Sequence, residues 1–235
     1  MYGWRARIGV LVPSANTVVE SEFNRMIPEG VSVHAARMYK LVSNPDTEIE
    51  MRKEAQHATR ELATAKCDTL LYACTSGSFV GGHKWEADLV DEMEQIAGVK
   101  CLTASGALSS ALKIYGKKKI SIVTPYCDGL TKLLHSYFTS EGYEVLSVKG
   151  LGIEDNVEIG KQPPSVSFSL AKQVPKETEL LIISCTDFRT IENIEILEKD
   201  LGIPVVSSNQ ASLWAALRIC GVREHVKGYG SLFLY

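Results

Sequence analysis

Residues 70–82 read Leu-Leu-Tyr-Ala-Cys-Thr-Ser-Gly-Ser-Phe-Val-Gly-Gly, and they decide the fold. Asp68-Thr69 leads into an apolar run that stops at Cys74, and small polar residues and glycines follow at once. Such a run reads as a buried strand, and the Thr-Ser-Gly after it as the turn where a sheet hands over to a helix. In open α/β sheets that turn lies outside the carboxyl end of the strand, where ligands bind. Residues 179–189 repeat the construction as Glu-Leu-Leu-Ile-Ile-Ser-Cys-Thr-Asp-Phe-Arg, with Cys185 at the strand end. Each half of the chain therefore sets one Cys-Thr pair at the tip of a strand.

Working outward, residues 7–12 form a first strand ended by Pro13-Ser14-Ala15-Asn16-Thr17. Ser14 or Thr17 is placed to cap a helix over 18–26, with Glu20 three residues beyond Thr17. Residues 31–37 alternate as a second strand. Residues 47–65 carry a helical pattern whose apolar stripe takes in Ile49, Ala55, Ala58 and Leu62. The strand over 67–74 is followed by a helix over 84–96, a strand over 99–102 and a helix over 103–114 closed by Gly116. Residues 119–123, with Thr124-Pro125-Tyr126 behind them, restart the pattern. A helix over 128–140, a strand over 143–150 and a loop over 151–164 carrying Glu154-Asp155-Asn156 follow. Then come a helix over 165–174, a strand over 181–184, a helix over 190–200, a strand over 205–208 and a helix over 209–219 closed by Gly221. Ala111-Leu112-Lys113-Ile114-Tyr115-Gly116 lies over Ala216-Leu217-Arg218-Ile219-Cys220-Gly221 at the same offset that aligns Cys101-Leu102-Thr103 with Val206-Ser207-Ser208.

The pattern is an internal duplication, and it implies two similar α/β halves with mostly parallel sheets. Right-handed crossovers fix where the strand tips lie. The boundary falls near Gly116: residues 1–116 form the first half and 117–209 the second, with 210–235 packing back on the first. If a pseudo-twofold axis relates the halves, Cys74 and Cys185 stand on opposite walls of one cleft.

The 235 residues, 45% of them hydrophobic, suffice for a substantial core. The net charge is −3, and no basic cluster exceeds Lys117-Lys118-Lys119, which argues against nucleic acid as a partner. No apolar stretch approaches the ~20 residues of a membrane span, and residues 1–7 are too short and polar for a signal peptide. The six cysteines, at 67, 74, 101, 127, 185 and 220, include no Cys-x-x-Cys pair. A reduced cytoplasmic protein is the expectation. The five histidines lack metal-ligand spacing, and the glycines do not form Gly-x-Gly-x-x-Gly, so neither a metal nor a dinucleotide is expected.

A thiol with pKa near ~8.5 is both a nucleophile and an acid–base group. Two of them across one bound molecule have two uses. One deprotonates a carbon acid while the other reprotonates the far face, or one adds to an activated double bond while the other supplies the proton. Neither chemistry needs a cofactor. Cys74 and Cys185 are the candidates; Cys67, Cys101, Cys127 and Cys220 read as core residues. An anionic intermediate needs donors. Thr75 and Ser76 lie beside Cys74, Thr186 beside Cys185, Asn16 and Tyr126 after the first strand of each half, and Asn156 in the loop near the second. His83 admits a weaker Cys–His hydrolase reading, and Arg189 is placed either to hold a carboxylate or to cap local structure.

Val12-Pro13-Ser14-Ala15-Asn16-Thr17, Tyr72-Ala73-Cys74-Thr75-Ser76, Thr124-Pro125-Tyr126, Gly152-Ile153-Glu154-Asp155-Asn156, Ser184-Cys185-Thr186 and Ser208-Asn209-Gln210-Ala211 together carry a resemblance. In this order the chain resembles the maleate cis-trans isomerase and arylmalonate decarboxylase family of the aspartate/glutamate racemase superfamily. The resemblance implies two Rossmann-like halves about a pseudo-twofold axis, a cofactor-free site between them, and a C-terminal helix that returns to the first. It implies that Cys74 attacks an olefinic carbon, that Cys185 protonates its neighbour, and that Asn16, Tyr126 and Asn156 hold the substrate carboxylates. The run after Cys74 is similar to that of the decarboxylase, whose Thr and Ser help stabilise an enediolate. The decarboxylase has glycine in place of Cys74, so the pair here favours a two-cysteine mechanism.

Isomerisation of a small dicarboxylate, maleate to fumarate, is therefore the leading expectation, in a homodimer or homotetramer acting on a small mono- or dicarboxylic acid. A two-cysteine racemase or an arylmalonate-type decarboxylase acting through an enediolate is the first alternative. A non-catalytic small-acid-binding protein is the second.

Overall fold

The computed structural model describes residues 2–235. Its first half runs β1 (Ala6–Pro13), α1 (Val19–Met26), β2 (Val31–Met38), α2 (Pro45–Thr64), β3 (Thr69–Tyr72), α3 (Thr75–Phe79), α4 (Gly82–Ala97), β4 (Cys101–Thr103) and α5 (Ala104–Tyr115). Its second half runs β5 (Lys119–Thr124), α6 (Asp128–Ser140), β6 (Glu144–Gly150), α7 (Asn156–Gly160), α8 (Pro164–Ala171), β7 (Leu180–Ile183), α9 (Ile194–Leu201), β8 (Val205–Ser207) and α10 (Ser208–Ile219). A 3-10 turn (Ser231–Leu234) closes the chain.

The strand order is β2-β1-β3-β4 in one sheet and β6-β5-β7-β8 in the other, with every pairing parallel. The duplication is thus carried into matching topology: two Rossmann-like halves related by pseudo-twofold symmetry, with a cleft between them. Side chains alternate across each strand, as the two-residue period requires. Ile8, Val10 and Val12 join one core that runs through both halves. Leu11, Leu70 and Tyr72 join a second, under α2 and α4. Helix α10 follows the second sheet yet packs on α5, α1 and β3 of the first half. Since α5 and α10 are the repeated segments, the two copies meet each other across the pseudo-axis.

Several local expectations change. Neither Ser14 nor Thr17 caps α1. The Asn16 side chain accepts from the amides of Val18 and Val19, at 2.9 and 3.1 Å, and does that work. Ser14 instead ties the chain after β2 in place, accepting from the Lys40 amide and donating to its carbonyl. Ile49 is exposed, and Met51 takes its place on the stripe of α2. The 151–164 loop contains α7, capped by Asp155, whose carboxylate accepts from Val157 and Glu158. The turn after Cys74 is itself a short helix, α3, ahead of α4. Gly116 ends α5 in the left-handed region, at φ 62°, as read from the sequence.

Candidate active site

The carboxyl ends of β1, β3, β5 and β7 face a narrow cleft between the halves. All eight sequence-derived residues line it: Asn16, Cys74, Thr75, Ser76, Tyr126, Asn156, Cys185 and Thr186. Pro13, Lys40, Ser43 and Asp187 line it as well.

Cys74 leaves β3 in extended geometry and begins α3. Its thiol donates to Glu48 Oε2 at 3.4 Å, lies 3.6 Å from Ser76 Oγ and accepts from Lys40 Nζ at 3.7 Å. Ser76 Oγ donates to Glu48 Oε1 at 2.6 Å, and Lys40 pairs with the same oxygen. Burial pushes the Cys74 thiol up to about 11, and the Glu48 charge adds to that. Lys40, the Ser76 hydroxyl and the Gly77 amide pull the other way without prevailing. For Lys40 burial is the largest influence and acts downward, but Cys74, Glu48 and Cys185 outweigh it and hold the ammonium above its ordinary value.

Cys185 sits at φ 140°, a conformation that costs a non-glycine residue about 1–3 kcal/mol and persists only where its surroundings hold it. They do: its amide donates to Ser208 Oγ at 3.0 Å, and the Asp187 amide donates to its sulfur at 3.4 Å. Burial, then the Asp187 charge, push this thiol well above the ordinary range, against the Asp187 amide. Burial also raises Asp187 to about 7, opposed by the amides of Thr17 and Val18 and by the charges of Lys40 and Arg37. Both shifts favour the neutral thiol.

Besides Ser76, three of the predicted side chains form hydrogen bonds within the protein. Thr75 donates to Ser208 Oγ at 2.9 Å. Thr186 donates to the Ala73 carbonyl at 2.9 Å and accepts from Asn16 Nδ2 at 3.1 Å. Asn16 keeps one N–H to spare. By contrast the Tyr126 hydroxyl and Asn156 Nδ2 are buried without a partner, while Asn156 Oδ1 is fixed by Ser43 at 2.7 Å. Unpaired buried donors aimed into a cleft are what an anionic ligand needs.

Lys40 and Glu48 were not legible as site residues. Lys40 lies between two exposed apolar residues, Tyr39 and Leu41, in a connection that reads as loop. Glu48 does carry a signal, since it heads the buried stripe of Met51, Ala55, Ala58 and Leu62. His83 contacts Ser140 at 2.9 Å, and Arg189 pairs with Glu192 at 3.3 Å; neither lines the cleft. Cys127 reaches the Ser43 carbonyl at 3.7 Å, outside the lining.

The family described as arylmalonate decarboxylase matches residues 8–233 of this chain. A maleate isomerase of Geobacillus stearothermophilus is 30% identical over 241 residues, which cover 96% of each chain. An arylmalonate decarboxylase of Bordetella bronchiseptica is 26% identical over 230 residues, covering 96% of this chain and 95% of its own. Among solved structures, a Nocardia farcinica maleate cis-trans isomerase superposes with a TM-score of 0.93 at 26% identity, over 97% of this chain and 98% of that one. That structure is of a cysteine-to-serine variant with a covalently bound succinylcysteine intermediate.

Proposed function

The chain belongs to the arylmalonate decarboxylase family and is an enzyme, and on that premise we propose that it is a cis-trans isomerase of a small dicarboxylate, converting maleate to fumarate. The observation that carries this reading is the placing of two buried thiols, Cys74 and Cys185, on one cleft with unpaired donors beside them. A decarboxylation that needs one thiol has no use for the first cysteine; an addition mechanism does.

In this reading Cys74 passes its thiol proton to the carboxylate it already donates to, and its Sγ forms a bond to one olefinic carbon. The π pair moves to the neighbouring carbon, which takes the Cys185 proton and leaves a succinylated cysteine. Rotation about the new single bond follows. Cys185 then takes the proton back, the carbon–sulfur bond breaks, and the double bond re-forms trans. The Tyr126 hydroxyl, Asn156 Nδ2 and the free Asn16 N–H hold the carboxylates through charge-assisted bonds. Thr75, Ser76 and Thr186 shape the walls. The covalent succinylcysteine of the Nocardia isomerase supports the addition step. Incubation with maleate, followed by proton NMR, tests the reading directly; absence of fumarate across pH 6–9 under reducing conditions sinks it.

The enediolate alternative rests on Thr75 and Ser76 as donors. Their hydroxyl protons are directed to Ser208 and Glu48 instead, which favours the isomerase. Deuterium exchange at the α-carbon of amino acids or arylpropionates, and carbon dioxide release from substituted malonates, discriminate the two.

We also propose the division 1–116 and 117–209, with 210–235 returning to the first half, and a homo-oligomer. The exposed Ile114, Ile219, Leu234 and Tyr235 support a subunit contact. A reducing, cytoplasmic setting suits six cysteines with no disulfide among them. Among the described residues no helix is long and apolar enough to cross a membrane.

A further inference from the structure

Lys40 and Glu48 form an ion pair whose side chains are 2% and 0% exposed. A buried pair of this kind is weak evidence for stability, because apolar replacements of similar volume serve as well or better. What surrounds it is more informative. Glu48 Oε1 accepts from Lys40 and from Ser76 Oγ, which fixes the carboxylate from two sides. That leaves Oε2 facing the Cys74 thiol, which donates to it at 3.4 Å. Lys40 Nζ stands 3.7 Å from the same sulfur and lines the cleft. Among the described residues no histidine lines the cleft, so the base that thiol enzymes commonly use is missing here.

We propose that Glu48 is the base that receives the Cys74 proton as the sulfur attacks, and that Lys40 holds Glu48 in place and stabilises the developing thiolate. The inference rests on the isomerase reading only in taking Cys74 as the attacking atom. A thiol held in its neutral form is a poor nucleophile, and a base within hydrogen-bond reach removes that obstacle. The sulfur–hydrogen bond breaks and its proton passes to Oε2. The sulfur lone pair forms the bond to the olefinic carbon, and the π pair ends on the neighbouring carbon, which takes the Cys185 proton. Lys40, Glu48 and Cys74 together go from net zero to +1 while Cys185 becomes a thiolate, so charge is conserved across the cleft. Elimination runs the same transfers backwards and returns the proton from Glu48 to Cys74.

The titratable groups facing Cys74 come from every element around it. They are Lys40 on the β2–α2 connection, Glu48 on α2, Tyr72 on its own strand, and Tyr126 and Cys185 from the second half. Lys40 is the one cation among them, and its removal leaves the new thiolate without a counter-charge.

Alkylation of Cys74 by iodoacetamide, followed by peptide mass spectrometry on the full chain at pH 6–8 without substrate, tests the proposal. With an internal base, the wild-type rate is expected to stay nearly flat across that range. Glu48→Gln is expected to alkylate at least ~10-fold more slowly at pH 7 and to climb about tenfold per pH unit, as an unassisted thiol does. A wild-type profile that climbs in this way, or that shows no reaction, overturns the proposal. So does a Glu48→Gln rate at pH 7 equal to or above wild type, which would mean that Glu48 only suppresses the thiolate. If the lone Lys40 charge prevents Glu48→Gln from folding, Lys40→Met/Glu48→Gln removes both charges, and a flat profile in that double variant overturns the proposal. Maleate conversion measured in parallel separates the two readings. A flat wild-type profile with no fumarate defeats the isomerase and spares Glu48. A Glu48→Gln variant converting maleate at the wild-type rate defeats Glu48 and spares the isomerase.

Discussion

Thr186 donates its hydroxyl to the carbonyl oxygen of Ala73, 2.9 Å away. The bond joins the residue after Cys185 to the residue before Cys74, across the two halves. Asn16 Nδ2 adds a second tie to the same hydroxyl at 3.1 Å. The spacing of the thiols is therefore set by hydrogen bonds at the backbone, not by the freedom of two side chains.

Thr186→Val keeps the volume of the side chain and removes both bonds. It leaves a buried carbonyl and an amide N–H unpaired, at a cost of about 1–3 kcal/mol in urea unfolding. Turnover is expected to fall at least ~10-fold, since small misplacements of reacting groups are expensive. A stability loss with unchanged turnover would show that the bond sets the fold and not the spacing.

Cys74→Ser and Cys185→Ser are each expected to lose at least ~100-fold in turnover while remaining folded. Their intact masses in the presence of maleate should differ. Cys185→Ser accumulates an adduct, because addition outlasts slowed protonation and elimination. Cys74→Ser shows none, a hydroxyl being a poor nucleophile. Near wild-type turnover in both variants returns the two cysteines to the role of core residues.

Tyr126→Phe deletes a buried hydroxyl that has no partner in the free protein. The folded state is expected to be as stable as wild type or slightly more so, while KM for the dicarboxylate rises at least ~10-fold, the exchange usual for residues kept for function. Asn156→Asp puts a carboxylate where the unpaired Nδ2 stands and is expected to repel the substrate more strongly still. Thermal melts and steady-state kinetics on the same preparations check both; a destabilised Tyr126→Phe with unchanged KM contradicts the binding role.

Glu22 on α1 is buried and accepts from the amides of Thr190 and Ile191 and from Asn209 Nδ2, at 2.8, 3.3 and 2.7 Å. Burial outweighs these bonds and raises its pKa from 4.5 to about 7. A carboxyl whose folded value exceeds the unfolded one contributes stability that is complete below the unfolded value and lost as pH rises through the folded one. Asp187 shifts the same way, from 3.8 to about 7. Wild-type protein should therefore lose on the order of 5 kcal/mol between pH 5 and pH 8, about half of it from each carboxyl. Glu22→Gln should flatten the slope, with the unpaired Asn209 Oδ1 available to accept from the new amide. Urea midpoints at the two pH values decide it; an equal slope in the variant assigns the loss elsewhere.

Both thiols and the doubled topology were legible because apolar runs ending in Cys-Thr leave few readings, and because 101–116 and 206–221 spell one pattern twice. Lys40 was hidden by the length of a lysine side chain. A connection that is exposed at Tyr39 and Leu41 still delivers an ammonium to the cleft between them. On α2 the apolar stripe legible in the sequence runs through Ile49, which is exposed, while the buried neighbour is the charged Glu48, which an apolar pattern does not reveal. At the start of α1, Ser14, Asn16 and Thr17 all have capping chemistry, and only the path of the chain after β1 selects Asn16.

The return of α10 to α5, α1 and β3 has a consequence in time. A ribosome delivers the whole of the first sheet before it has made the helix that covers part of it. At a usual ~5–20 residues per second, the interval between α5 and the end of α10 is about 5–20 s. Throughout that interval Leu108, Ala111 and Leu112 of α5 lack the partners Leu213, Ala216 and Leu217 that share their core in the finished protein. The nascent chain thus waits with an apolar surface open, and the two halves of the cleft are completed together, by the same last helix, rather than one after the other.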